Sequence, residues 1–92
     1  MGLSLESRVV ADGQVLSADV GGETVLMDAV SGSYLTFESV GTQIWQALAT
    51  PVQVGAVCAT LVAEYDAPEE QIRENVLSFL EDLLARGLIK AV

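Results

Sequence analysis

Short apolar runs separated by glycine-containing turns fill the first third of the chain, and helical spacing of apolar residues replaces them from Ser39 onward. Residues 8–11 and 14–18 flank Asp12-Gly13, a dipeptide suited to the positive φ angles of a type I′ turn. This arrangement predicts a hairpin at the start of the chain. An order with strands first and helices afterwards indicates an α+β domain.

A second hairpin is predicted further along the same region. Residues 23–28 form an apolar run with β-branched side chains, and residues 33–37 follow after a short turn. Alternation in the second run puts Leu35 and Phe37 on one face of the strand and the even-numbered residues on the other. The sequence therefore predicts a small N-terminal antiparallel sheet of three to four strands.

Three helices are predicted to follow the sheet. The first begins at Ser39, a suitable N-cap, and the second opens at Thr50-Pro51, where Thr50 can cap and Pro51 fits the first helical position. The third continues to Arg86, where Gly87 can end it in the left-handed conformation. Strands followed by three short helices and an extended tail favour a winged helix-turn-helix-like fold of the α+β class.

Winged helices usually bind DNA, but the charge of this chain argues against that function. The chain has thirteen acidic and four basic residues, which gives a net charge of −9. Nucleic-acid affinity comes largely from Lys and Arg that neutralise phosphates, so we expect no nucleic-acid partner. The same charge disfavours docking on an anionic membrane, and it would steer basic segments of a partner towards the protein.

The chain has no histidine, and Cys58 is its one cysteine. A single thiol cannot form an internal disulfide, which favours a cytoplasmic location, and the usual zinc ligand sets are missing. No nucleophile has a histidine base, and adjacent carboxylates such as Glu81-Asp82 diverge on a helix. We therefore expect a non-enzymatic protein without catalytic residues, metal or cofactor.

Length and the N-terminal sequence bound the organisation of the chain. Its 92 residues leave room for one small domain, which we expect to span residues 1–92. No basic segment followed by an apolar run opens the chain, so no signal peptide is predicted.

The third helix has a wider apolar face than a core contact requires. Its apolar residues fill an arc of roughly 160°, whereas a stripe of about 100° covers a core from one side. The excess lies at Leu77, Leu80 and Leu84, with Arg73 on the same side. Two interpretations remain open at this point: a wide core contact or dimer seam, and a groove beside the helix that receives an apolar peptide. A sheet of so few strands also has free edges, which offer backbone donors and acceptors to an incoming strand.

The segment LMDAVSGSYLTFESVGTQIW, residues 26–45, resembles PqqD-like leader-recognition elements of ribosomally made, post-translationally modified peptides. It is most similar to the stand-alone recognition proteins of lasso-peptide pathways. The matching positions are Met27-Asp28, Gly32-x-Tyr34, Gly41 and Ile44-Trp45, while Phe37-Glu38 replaces a Leu-Asn pair of that family. Residues 62–89 resemble the end of the second helix and the third helix of the same family, and the likeness covers about residues 15–89.

The resemblance implies that a precursor leader peptide adds as an antiparallel strand to the last strand of the sheet and lies in a cleft beside the third helix. By position, the peptide-binding strand would comprise Ser33, Tyr34, Leu35, Thr36 and Phe37. The cleft-facing residues of the third helix would be Arg73, Val76, Leu77, Leu80 and Leu84. The implied partners are the leader, a separate transglutaminase-like cysteine peptidase that removes it, and indirectly the macrocyclase.

Several roles stay open beside this one. A PqqD-type chaperone for a radical or other modifying enzyme would use the same fold, and an acidic winged-helix interaction or dimerisation module would need no peptide. Trp45 shares an apolar stripe with Ile44 and Leu48, so we expect it in the core. Tyr34 is either a solvent-side hairpin residue or part of a peptide or partner surface.

Overall fold

The computed structural model describes residues 2–28, 32 and 34–92. Over these residues the chain forms the following strands and helices: β1 (Arg8–Ala11), β2 (Val15–Val20), β3 (Glu23–Asp28), β4 (Tyr34–Glu38), α1 (Val40–Ala47), β5 (Val52–Gln53), α2 (Val54–Glu64), α3 (Glu69–Ala85) and β6 (Ile89–Ala91).

The strands form two antiparallel sheets of three strands each, in the orders β2–β3–β4 and β5–β1–β6. Strands that precede three helices confirm the α+β class. The strand count exceeds the predicted three to four, because the segment before α2 and the C-terminal tail both pair with β1. β1 is thereby the centre of a sheet assembled from distant parts of the sequence.

The predicted hairpin between β1 and β2 is wrong. Ala11 donates its backbone N–H to Leu48 O (2.9 Å) and Asp12 donates to Leu88 O (3.0 Å), so the end of β1 is held by later segments of the chain. The Asp12 carboxylate accepts the N–H of Gln14 at 2.9 Å. This side-chain turn replaces the type I′ turn, and Gly13 does not have a positive φ.

A two-residue turn with positive φ angles occurs in the next loop, between β2 and β3. Gly21 and Gly22 have φ angles of 60° and 88°, and Val20 pairs with Glu23 across this two-residue loop. The predicted pairing of β3 with β4 is confirmed, with Leu26 opposite Leu35. β3 is consequently the central strand of its sheet.

The predicted start of the first helix is confirmed, but the predicted capping by the Ser39 side chain is not. Ser39 makes no side-chain cap hydrogen bond and has a φ of 52°; its carbonyl oxygen accepts the N–H of Gln43 at 3.2 Å. The third helix ends as predicted, because Gly87 follows the C-cap Arg86 with a φ of 76°. Leu88 then donates its N–H to Leu83 O at 3.0 Å, and this bond closes the last turn.

The second helix begins later than Thr50-Pro51 because Val52–Gln53 pairs with β1. The first N–H groups of α2 are satisfied by the N-terminal segment instead of by a capping side chain. Val54 donates to Ser7 O (2.9 Å) and Gly55 donates to Leu5 O (2.8 Å). Residues 2–7 therefore form part of the packed structure.

One hydrophobic core joins both sheets and all three helices. Trp45 is buried in it, as predicted, and Cys58 is buried as well. Its buried members are Val9, Leu26, Ile44, Trp45, Leu48, Val54, Val57, Cys58, Leu61, Ile72, Val76, Leu80, Leu83, Leu88 and Ile89. In the part of the chain that the structure describes, no helix combines the length and apolar character needed to cross a bilayer.

Candidate functional site

β4 lies at one edge of its sheet, and none of the described strands pairs with its other edge. Its side chains alternate as predicted: Leu35 and Phe37 pack against the core, whereas Tyr34 and Thr36 are exposed. Ser33 lies outside the described residues. An open edge of this kind can accept a further strand through its backbone groups.

An apolar cleft opens between β4, the start of α1 and the N-terminal half of α3. Its volume is about 450 Å³, within the range of ligand-binding clefts. We call it the β4–α3 cleft, and its lining residues are Phe37, Val40, Gly41, Ile44, Leu61, Tyr65, Ala67, Ile72, Asn75, Val76 and Phe79. Apolar side chains dominate this list, so an apolar ligand segment would be favoured by burial.

Phe37 connects the free strand to the helices around the cleft. Its ring meets that of Phe79 edge to face, with centroids 5.0 Å apart, and lies 6.5 Å from that of Trp45. A Cβ on Gly41 would stand 2.9 Å from Phe37 Cβ, closer than real Cβ atoms approach. Gly41 therefore allows close packing of α1 on β4, and its packing partner Phe37 is a cleft residue.

A chain of hydroxyl groups holds α1 against the sheet behind the cleft. The buried Thr24 hydroxyl donates to Thr42 Oγ1 at 3.0 Å, and Thr42 Oγ1 donates to the carbonyl oxygen of Phe37 at 3.3 Å. Buried polar groups are tolerated when they are hydrogen-bonded in this way. The position of β4 relative to α1 is thus fixed by specific bonds as well as by apolar contact.

Among the described lining residues of the cleft, Tyr65 and Asn75 carry polar side chains. The Tyr65 hydroxyl donates to Gln43 Oε1, and Gln43 Nε2 donates to Glu64 Oε2, both at 2.5 Å. Asn75 is exposed on α3 at the same cleft. No charged residue is found among its described lining residues. Recognition there would rest on apolar contact with a few hydrogen bonds from Tyr65 and Asn75.

The five residues of α3 that the resemblance implicated do not share one surface. Val76 lines the β4–α3 cleft. Leu80 has 0% of its surface exposed and belongs to the core, and Leu77 and Leu84 are partly buried against that core. A contact between a bound peptide and Leu80 would require the core to open.

Arg73 lies at a second hollow, of about 360 Å³, together with Leu5 and Cys58. Its guanidinium forms an ion pair with Glu69 one helical turn away. The N-terminal segment covers this side of α3, since the N–H of Leu3 donates to Glu81 Oε2 at 2.9 Å. The excess apolar flank of the helix therefore faces the start of its own chain.

Comparison with known proteins identifies the family. The family described as coenzyme PQQ synthesis protein D (PqqD) matches residues 23–89. The chain belongs to the PqqD family. This match begins at β3 and ends in β6, so it includes β4, every helix and the cleft between them. No match was found among the curated proteins.

Two solved structures have the same fold as this PqqD-family chain. TbiB1 in complex with the TbiA(beta) leader peptide superposes with a TM-score of 0.82 at 25% identity, covering 88% of this chain and 94% of that one. Lasso peptide synthetase B1 complexed with the leader peptide superposes with a TM-score of 0.80 at 20% identity, covering 89% and 96%. The recognition of a PqqD-like leader-recognition fold from the sequence is confirmed.

Several cleft residues were not singled out by the sequence. Ile72 and Phe79 belong to the apolar arc of α3 but were not assigned to the cleft, because helical periodicity does not show which neighbour covers which flank. Tyr65 and Asn75 carried no signal beyond their polarity. A usable signal was Gly41, since a glycine inside a helix suggests close approach, here to Phe37.

The thiol of Cys58 has low reactivity in this structure. Burial raises the pKa of its thiol above the ordinary value of 9.0, and the nearby Arg73 guanidinium offsets part of that increase. A thiol that stays protonated is a poor nucleophile, so Cys58 serves core packing here.

Proposed function

We propose that this PqqD-family protein binds the leader segment of a ribosomally made precursor peptide, as an additional antiparallel strand on β4. The leader would pair with the free edge of β4 and place alternate side chains in the β4–α3 cleft. The protein would act by binding alone, without catalytic residues. Removal of the leader and closure of the product would belong to partner enzymes.

One observation carries this proposal: the free edge of β4 adjoins the apolar β4–α3 cleft. Phe37 belongs to both features, so a strand added at this edge has its inward side chains next to the cleft. Backbone hydrogen bonds would supply affinity that depends little on sequence, and the cleft would select particular side chains. The leader complexes of the two structural neighbours support the same type of ligand.

A series of singly N-methylated leader peptides tests strand addition directly. Each methyl group removes one backbone donor, so binding should weaken at every second residue of the paired segment and remain near normal at the others. The loss at sensitive positions should be about tenfold, the upper range for one hydrogen bond. Fluorescence anisotropy with the labelled cognate leader measures it, and a loss without a period of two would contradict strand addition.

The cleft is tested by Val40→Glu, a substitution compatible with folding. Val40 is partly exposed at the start of α1, where a carboxylate also interacts favourably with the helix dipole. The added charge would lie in an apolar cleft, and leader affinity should fall by about tenfold or more. Ser78→Glu adds the same charge on an exposed position of α3 outside the cleft and should bind normally.

A further variant distinguishes two locations for the bound leader: the β4–α3 cleft and the Leu77, Leu80 and Leu84 flank of α3 predicted from the sequence. Leu84→Glu should leave leader affinity unchanged if the ligand lies in the β4–α3 cleft, provided that circular dichroism shows a folded protein. Equal binding by Val40→Glu and the wild type, with loss in Leu84→Glu, would move the ligand to the other side of α3.

We further propose that the bound leader is presented to a separate transglutaminase-like cysteine peptidase, and indirectly to the macrocyclase of a cytoplasmic lasso-peptide pathway. The PqqD match supports a second candidate, a peptide chaperone for a different modifying enzyme. Genes for a small peptidase of this class and an asparagine-synthetase-like enzyme beside the gene for this protein would favour the lasso pathway. A neighbouring radical-enzyme gene without them would favour the chaperone.

A further inference from the structure

The outward face of the β2–β3–β4 sheet carries an apolar surface that the cleft does not use. Cα partners place Leu16, Met27 and Tyr34 in one row across the three strands. The next row places Ala18 beside Val25. We call this surface the outer sheet face, and its apolar members are Leu16, Ala18, Val20, Val25, Met27 and Tyr34.

This surface is unusual for a sheet with one face on a core. Thr24 and Leu26 point from β3 into the protein, so the alternate residues of the sheet should meet water and be polar. Instead, Leu16 and Val20 are each 59% exposed and Tyr34 is 67% exposed. Single exposed apolar side chains need no explanation, but adjacent ones on three strands mark a contact surface.

The charge around the outer sheet face indicates what kind of partner fits it. No Lys or Arg occurs between Arg8 and Arg73, so the whole sheet lacks basic residues. Glu23 pairs with Val20 at one end of the face and is exposed. A second copy of this chain would bring another carboxylate to this face, whereas a partner with Lys or Arg at its rim would complement Glu23.

We propose that the outer sheet face binds a protein partner with an apolar centre and a basic rim, and that this partner is the leader peptidase. This inference rests on the proposed function. β4 connects the two sites, because Phe37 faces the cleft while Tyr34 lies on the outer sheet face. The peptidase and the cleft-bound part of the leader would thus occupy opposite faces of one sheet, and neither would block the other.

The double substitution Leu16→Ser and Val20→Ser tests this surface. Both side chains are largely exposed, so the fold should survive. Val92→Ser is the matched control, because Val92 is 63% exposed in a segment outside this sheet. Purified cognate peptidase would be titrated against each protein by biolayer interferometry, with and without leader. Leader affinity would be measured separately by anisotropy.

We expect the double variant to bind the peptidase about tenfold or more weakly, in line with the loss of an apolar anchor, and to keep its leader affinity within about twofold. The Val92→Ser control should match the wild type in both assays. Glu23→Lys should also weaken the peptidase complex, and the wild-type complex should weaken with added salt.

Separate outcomes distinguish the two proposals. Normal peptidase binding by the double variant, or no peptidase binding by the wild type, would overturn the docking inference whatever the leader does. Absence of leader binding by the wild type would overturn the proposed function alone. If sedimentation shows a wild-type dimer that the double variant converts to monomers, a second copy covers the face and the inference is wrong.

Discussion

At the scale of single residues, Gly41 controls the position of Phe37. The helix brings Gly41 so close to Phe37 that a methyl group would displace the ring or the strand. Phe37 in turn packs on Phe79 across the cleft. A change at a glycine with no functional group would therefore alter the shape of the candidate site.

Gly41→Ala should destabilise the protein by about 1 kcal/mol, since the cost of overpacking exceeds the gain in helix propensity. Leader affinity should fall as Phe37 shifts. Urea denaturation and leader titration measure the two effects. Gly13→Ala is the control, because nothing lies within 4 Å of a Cβ at that position. A Gly41→Ala protein as stable as the wild type would show that Phe37 accommodates the methyl group.

Cys58 gives a prediction about pH. Burial raises the pKa of the folded thiol above its ordinary 9.0, so both states are protonated well below that pH and the thiol adds no pH dependence. Above it, the unfolded thiol ionises while the folded one stays protonated, which favours unfolding. The wild type should therefore lose stability faster than Cys58→Ala between about pH 8.5 and 10.5. Parallel stability curves for the two proteins would contradict this.

At the scale of elements, sequence patterns correctly predicted the features that residues close in the sequence determine. The β3–β4 pairing joins residues seven to fifteen positions apart, and it is confirmed. The alternation in β4 and the glycine end of α3 follow patterns of adjacent residues, and both are confirmed. The β1–β2 hairpin and the start of α2 are wrong because the partners of β1 lie more than forty residues away. The Asp12-Gly13 turn signal cannot reveal such competing partners.

The N-terminal segment gives a prediction at this scale. Leu3 and Leu5 pack on the core beside α3, on the side away from the β4–α3 cleft. Leu3→Ser combined with Leu5→Ser should lower stability by about 2 kcal/mol through lost apolar burial. Leader affinity of the folded fraction should be unchanged. Glu6→Ala, an exposed neighbour, serves as the control in thermal unfolding. A selective loss of leader affinity would mean that the segment contributes to the site.

At the scale of the whole molecule, acidic charge is poorly compensated. The chain has only four basic residues against thirteen acidic ones. The two ion pairs found among the described residues, Arg73–Glu69 and Arg86–Asp82, are exposed pairs within one helix. Such pairs add little stability, so repulsion between carboxylates should weaken the folded state.

Raising the KCl concentration from about 0.02 to 0.5 M should therefore raise the melting temperature by a few degrees, because salt screens this repulsion. Differential scanning calorimetry measures the shift. Choline chloride at equal ionic strength should have a similar effect, since screening does not depend on a bound cation. A melting temperature that falls with salt would show that favourable ion pairs dominate.

The candidate cleft was harder to predict than the fold, because its position depends on the path of the whole chain. Helical periodicity defined the apolar arc of α3, but not which segment covers each flank. The sequence pointed to the Leu80 side, where residues 2–7 return to the helix. The open side carries Ile72 and Phe79. Only the three-dimensional path of the chain decides between the two flanks.

The pairing of β1 with β6 has a consequence for how the chain is made. Val9 pairs with Ala91, so this pair of β1 and β6 cannot form before Ala91 has been synthesised. Because a ribosome releases the chain in order, one edge of β1 stays unpaired until residues 89–91 have been translated. The β2–β3–β4 sheet needs no such delay. The region that bears the free strand edge can form first, and the sheet built on β1 is completed last.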